Sequence, residues 1–167
     1  MITAFFDLGT ENFCHIVFET VDKEKKIINF EITKFKMNKS IYKSITNFFD
    51  NLCERYKIDK FYVEQQVSKN KNCCKIQCII ETYLCIKRKK YKTVNAKKKY
   101  KAFSFFEKDE YINCKSGQKY RKRKNFVISK GSELLNEYTF DDEMKKKIES
   151  LKKEDDFYDC LLMEYTE

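Results

Sequence analysis

The chain has 167 residues, 42% of them hydrophobic and 16% aromatic, and carries 35 Lys/Arg against 26 Asp/Glu for a formal net charge of +9. That length and apolar content predict one domain with a sizeable core and exclude a disordered chain. No stretch of about 18 uncharged apolar residues occurs, which excludes a transmembrane helix and any membrane partner it would imply.

Residues 2–6 (Ile-Thr-Ala-Phe-Phe) read as a short strand buried in the middle of a sheet, ending at Asp7. No basic segment precedes this run and no small-residue cleavage site follows it, so it is expected to be a strand rather than a signal peptide. Gly9 lets the chain turn just after Asp7. A second strand is predicted over 13–20 and a third over 27–35, where Ile28, Phe30 and Ile32 alternate with Asn29, Glu31 and Thr33. The charged stretch from Asp22 to Lys26 joins them. A helix over about 40–57 follows, because Ile41, Ile45, Phe48, Phe49, Leu52 and Tyr56 form one apolar stripe, with Ser40 as its expected N-cap.

A fourth strand at 60–64 ends on Glu64, and a long helix over about 72–90 is apolar on more than one face, which predicts a central position or a dimer contact. Thr93-Val94 marks a fifth strand, and 97–120 is poorly patterned. Residues 121–137 read as helical, Asp141-Asp142-Glu143 opens another helix with acids in its first turn, and a last helix runs from about 154 to 165. The order βββαβα(β)…α predicts a single α/β domain spanning 1–167, a mixed central sheet of about five strands with helices on both faces.

Three sets of carboxylates stand out on this framework. Asp7 lies beyond the carboxyl end of a central strand, where open sheets place their sites, although an Asx-turn before Gly9 would also explain it. Glu64 holds the same place on a second strand. Asp155, Asp156 and Asp159 head the last helix. Asp159 shares a face with either of the other two, and first-turn acids also complement the helix dipole. Hard divalent cations take oxygen ligands, and a pair of them about 4 Å apart needs three to four carboxylates, which this set supplies.

The charge is uneven. Residues 86–130 hold 17 Lys/Arg and 3 Asp/Glu, whereas the rest of the chain is net acidic. A basic middle is the footprint of a polyanionic partner. The eight cysteines do not read as a disulfide framework, since Cys73, Cys74, Cys78 and Cys85 crowd one helix and the rest are scattered. With His15 the only histidine, and expected to be structural, a zinc site is not predicted. Reduced, intracellular thiols are the expectation.

The segments Phe5-Phe6-Asp7-Leu8-Gly9-Thr10, Tyr62-Val63-Glu64-Gln65-Gln66 and Glu154-Asp155-Asp156-Phe157-Tyr158-Asp159 together resemble the RuvC-like Holliday junction resolvases, most of all the poxvirus-type members. Asn12 matches a polar position beyond the first motif. The resemblance implies an RNase H-like fold, a homodimer, Mg²⁺ or Mn²⁺ with two ions per site, and paired nicking of four-way DNA junctions. It also implies a viral source with action in the host cytoplasm. It assigns Asp7, Glu64, Asp156 and Asp159 as metal ligands and catalytic residues, with Asp155 as an alternative to Asp156. It further implies a catalytic lysine within 119–127, for which Lys124 is favoured and Lys122 is the alternate. Phosphate contacts are expected from Lys87, Arg88, Lys89, Lys97, Lys98, Lys99, Lys119, Arg121, Lys122 and Arg123. Two rival readings remain: an RNase H-like nuclease acting on RNA–DNA hybrids or flaps, and a non-catalytic basic nucleic-acid-binding protein.

Overall fold

In the computed structural model, which describes residues 1–151 and 154–166 apart from the side chain of Glu110, a six-stranded mixed sheet forms the middle layer. Strands β1 (Ile2–Asp7), β2 (Phe13–Val21) and β3 (Glu24–Thr33) form an antiparallel meander. The β2–β3 hairpin turns on Asp22 and Lys23, with φ of 47° and 75°, the left-handed pair that matches strand twist in a two-residue loop. Helix α1 (Ile41–Arg55) then leads to β4 (Lys60–Gln65), and α2 (Lys71–Ile86) leads to β5 (Tyr91–Asn95); both strands run parallel to β1 on its other side. A sixth strand, β6 (Tyr138–Thr139), gives the order β5-β4-β1-β2-β3-β6.

The expected α/β architecture holds, with six strands instead of about five. The added strand, β6, is two residues long, too short to carry a period-2 signal. The region 97–120 contains α3 (Lys97–Ala102), α4 (Asp109–Ile112) and two 3₁₀ turns, elements too short to show helical periodicity. Helix α5 spans Lys119–Leu134, α6 spans Asp142–Glu149, and α7 spans Glu154–Leu162 before a closing 3₁₀ turn. Ser40 stands at the N-cap of α1 but makes no capping bond; its hydroxyl donates to Asn38 instead.

The alternation of β1 divides the core. Ala4 and Phe6 face α1 and α2, joining Ile41, Ile45, Phe49, Ile76 and Ile80. Phe5 faces the opposite layer, where Val127 and Leu134 of α5 and Phe157, Leu161 and Leu162 of α7 close the other half of the core. Because β1 is buried on both faces, it reads as a continuous apolar run rather than an alternating one. His15 lies on the α1 side, fully buried, with its Nε2 2.9 Å from Asn29 Nδ2 and its ring stacked on Phe6. Burial, then the nearby charge of Lys147, push its pKa down to about 3. All eight cysteines are free thiols.

Candidate active site

Strand geometry alone brings the first two carboxylates together. β1 and β4 are parallel with Phe5 opposite Tyr62 and Phe6 opposite Val63, so the next residues along, Asp7 and Glu64, end up adjacent. The side-chain period of 2 puts Asp7 on the Phe5 face and Glu64 on the Tyr62 face. Those two rings stack with centroids 4.5 Å apart and planes 6° from parallel, which locks the pair below the acids. Asp7 and Glu64 come within hydrogen-bonding reach of each other. Burial first, then the charge of Glu64, hold the Asp7 carboxyl well above the usual range; Lys99 opposes this and Asp159 adds to it. Gly9 is fixed by close approach, since a Cβ there would stand 2.5 Å from the Asn12 carbonyl oxygen.

Helix α7 delivers the remaining acids to the same face. The Cys160 thiol donates to the Phe5 carbonyl at 3.2 Å, and the Phe157 ring packs edge-on against Phe30 at 4.9 Å. Helices α5 and α7 approach closely at Gly131, where a Cβ would meet Tyr158 at 2.5 Å. Lys124, Val127, Gly131 and Leu134 share one stripe of α5, so this contact also directs Lys124 onto α7. Its ammonium hydrogen-bonds Asp155 and stands 4.0 Å from Asp159 Oδ2. Burial works against that charge, but the hydrogen bond it donates to Asp155 and the fields of Asp159 and Asp155 outweigh it and raise the pKa of Lys124.

Lys99 is the residue for which the sequence reading needs correction. It was expected at the surface as a phosphate contact; instead it is 2% exposed and points into the acid cluster. Its Nζ lies 2.7 Å from Asp159 Oδ1 and 3.5 Å from Glu64 Oε1. Burial opposes its charge, yet Asp159, Glu64 and Asp7 together hold its pKa above the ordinary value. Strand β5 explains the placement. It runs parallel to β4, so α3 begins just past the same end of the sheet as Glu64.

Glu64 is also anchored from outside. Gln66 Nε2 donates to Glu64 Oε2 at 2.7 Å, and Gln77 Oε1 accepts from the Gln66 backbone N–H at 2.8 Å. Gln77 in turn donates to Glu81 Oε1, which also accepts from the Thr93 hydroxyl, both at 2.8 Å. This chain ties β4, α2 and β5 together behind the carboxylate. Gln77, Glu81 and Thr93 were not singled out from sequence, because polar residues spread over three elements have no local pattern.

The acids open into a cleft of about 780 Å³ lined by Asp7, Glu64, Asp156, Asp159, Lys124 and basic residues including Lys97 and Arg123. A shallower hollow of about 270 Å³ beside Gly9 and Asn12 meets it at Asp7 and Asp156. Asp156 therefore faces the cleft with Asp7, whereas Asp155 pairs with Lys124. Lys98 and Arg121 are exposed, Lys122 is half-buried, and Lys119 lies 5.3 Å above the Tyr111 ring. Lys87, Arg88 and Lys89 are not brought to the site. They form the turn into β5, where Lys90 accepts from Phe61 N–H at the opposite end of β4, and Lys87 pairs with Asp50 at 2.9 Å.

The donor set suits a hard divalent cation: several converging carboxylate oxygens, among them those of Asp7, whose ionisation is opposed first by burial and then by the charge of Glu64. As the side chains stand, no group of three or more His, Cys, Asp or Glu residues among those described is arranged to hold a metal ion. Lys99 is set between Glu64 and Asp159.

No protein-family model and no curated protein matches the chain. Its fold does match solved structures. The fowlpox virus Holliday junction resolvase, alone and with its substrate Holliday junction DNA, superposes with TM-scores of 0.69 and 0.68 at 21% and 22% identity. These matches cover 98% of this chain and 94% and 93% of that one. The Thermus thermophilus RuvC matches at a TM-score of 0.63 and 11% identity, over 98% of this chain and 92% of its own. The yeast mitochondrial resolvase Ydc2 gives 0.63 and 15%, over 98% and 77%. The chain thus has the RNase H-like fold of the RuvC-like resolvases.

Proposed function

We propose that this protein is a metal-dependent endonuclease that resolves four-way DNA junctions. The observation that carries the reading is the convergence of Asp7, Glu64, Asp156 and Asp159 on a single cleft, with Lys124 beside them and basic residues along its walls. The fold points the same way, since solved proteins that share it are Holliday junction resolvases, one of them bound to its junction.

Asp7, Glu64, Asp156 and Asp159 would hold Mg²⁺ or Mn²⁺, two ions in the full site. Such ions supply an activated water and stabilise the charge that develops on phosphate oxygens. The rest is done by the chain. Glu64 is kept in place by Gln66, so its oxygens do not need to reorganise during the reaction. Lys124 is fully charged, shares the cleft with Asp159 and neutralises the phosphoryl oxygens as they gain charge. Lys97 and Arg123 contact phosphates across the cleft, which aligns the strand and makes affinity fall with salt. The products are a 5′ phosphate and a 3′ hydroxyl, which a ligase can seal.

Paired nicking requires two sites at a fixed separation. The exposed apolar residues Tyr42 (55%) and Ile86 (74%) line a hollow of about 360 Å³ on the outer face of α1 and α2, with Ile79 at its floor. This face suits a second copy of the chain. No helix among the described residues is long and apolar enough to cross a membrane. A viral origin, and action in the host cytoplasm, belong to the same proposal.

The test is cleavage of end-labelled substrates by purified protein: a synthetic four-way junction beside linear duplex, flap and RNA–DNA hybrid, each with Mg²⁺, Mn²⁺ or EDTA. Metal-dependent nicks at symmetrical positions on the junction alone are expected. Equal cutting of hybrids or flaps would replace the substrate, and tight binding with no cutting would overturn the nuclease reading.

A further inference from the structure

We propose that Lys99 is a built-in counter-cation of the acid cluster, which a divalent ion displaces from between Glu64 and Asp159, so that metal loading and the position of α3 are coupled. The inference rests on the metal-dependent reading above and goes beyond it.

Three observations carry it. The Lys99 ammonium is buried at 2% exposure and lies 2.7 Å from Asp159 Oδ1 and 3.5 Å from Glu64 Oε1. A buried ammonium survives only where carboxylates compensate the loss of water, and a cluster of buried carboxylates needs a cation in return. Each therefore stabilises the other without metal.

A divalent ion would seek the oxygens that Lys99 already occupies. An ammonium and a metal ion cannot both sit in that gap, because two cations a few ångströms apart in a shielded site repel strongly.

The element that carries Lys99 is one short helix, so a shift of Lys99 is passed directly to the residues beside it. Helix α3 is six residues long, is held at its start by the Asn95 side chain, whose Oδ1 accepts from the Lys97 backbone N–H at 2.9 Å, and places Lys97, Lys98 and Lys101 around Lys99. It is followed by Ser104 in the left-handed region at φ 49°. Withdrawing Lys99 would carry these lysines, and Lys97 at the cleft wall among them, to new positions. Metal loading would then also reset the basic surface offered to phosphate.

The test uses the wild-type chain. An amine-acetylating reagent, read out by peptide mass spectrometry, is applied in EDTA and at saturating Mn²⁺, with saturation fixed by calorimetric titration. In EDTA, exposed Lys98 should be modified and Lys99 protected. With Mn²⁺, Lys99 should react at a rate near that of Lys98. The variant Lys99→Met, titrated with Mn²⁺, should bind about tenfold more tightly or better, and its melting temperature should rise more on adding Mn²⁺ than the wild type's does.

If Mn²⁺ binds the wild type while Lys99 stays protected, or if Lys99→Met binds no more tightly, this inference is overturned and the metal-dependent reading stands. If Mn²⁺ binds neither protein, the metal-dependent reading fails and takes the inference with it. The labelling result does not depend on whether the variant folds.

Discussion

Gly131→Ala tests how the site is held together. A Cβ at this position would lie 2.5 Å from Cβ, Cγ and Cδ1 of Tyr158, atoms bound close to the α7 backbone that cannot swing aside like a flexible tip. Overpacking of that kind costs about 3 kcal/mol at the upper end of its range, and Ala returns about 1 kcal/mol of helix propensity, for a net loss of about 2 kcal/mol. For a domain of this size that lowers the melting temperature by roughly 4–8 °C. The displaced helix carries Asp155, Asp156 and Asp159, and an error of about 1 Å at a reacting centre can cost about 100-fold in rate. Urea and thermal unfolding measure the first effect, and junction cleavage measures the second. Gly117→Ala is the control. Nothing lies within 4 Å of its added methyl and its φ is not positive, so its stability should match or slightly exceed the wild type. A Gly131→Ala protein as stable and active as wild type would refute the packing argument that places Lys124 and the acids.

Other outcomes follow from the same geometry. Asp7→Asn should abolish cleavage while junction binding, measured by gel shift, is retained. In EDTA it should also be more stable than wild type. The raised carboxyl pKa means that Asp7 favours the folded state most at low pH and loses that contribution as pH rises, so the variant's advantage should be larger at pH 8 than at pH 5. For His15, pushed down to about 3, the unfolded chain binds the extra proton, so wild-type stability should fall as pH drops from about 6.5. In His15→Gln that fall should be gentler by up to about 1.4 kcal/mol per pH unit, read from urea unfolding between pH 7 and pH 4; an unchanged slope would show that His15 is not held neutral. Lys124→Met should lower kcat by about 100- to 1,000-fold with little change in junction affinity. A loss confined to affinity would make Lys124 a phosphate contact only.

What could be read from the sequence depended on whether a residue's partner lies within its own element. The carboxylates at the ends of β1 and β4 were legible because an apolar strand announces where it stops, and the sheet brings strand ends together. The apolar stripe of α1 was legible for the same reason, through its period. Lys99 was not. It sits within a run of lysines that look alike in sequence, and only the parallel pairing of β5 with β4 sets one of them apart by burying it. For Lys87, Arg88 and Lys89 the charge was evident, but which end of the sheet they occupy depends on the α2–β5 crossover. The pairing of Asp155 with Lys124, which leaves Asp156 on the cleft, depends on the close approach at Gly131. Composition carries no trace of that contact. Strand β6 has one ladder register of two residues and no sequence signal at all.

The most direct test of the central claim is digestion of a supercoiled plasmid that extrudes a cruciform, with Mg²⁺ or Mn²⁺, followed by ligation of the products. The account predicts linear DNA formed by two opposed nicks at the cruciform base, sealable by ligase, absent in EDTA and absent with Asp7→Asn. Plasmid that stays supercoiled, although gel shift shows the protein bound to the cruciform and calorimetry shows metal bound to the protein, would contradict it.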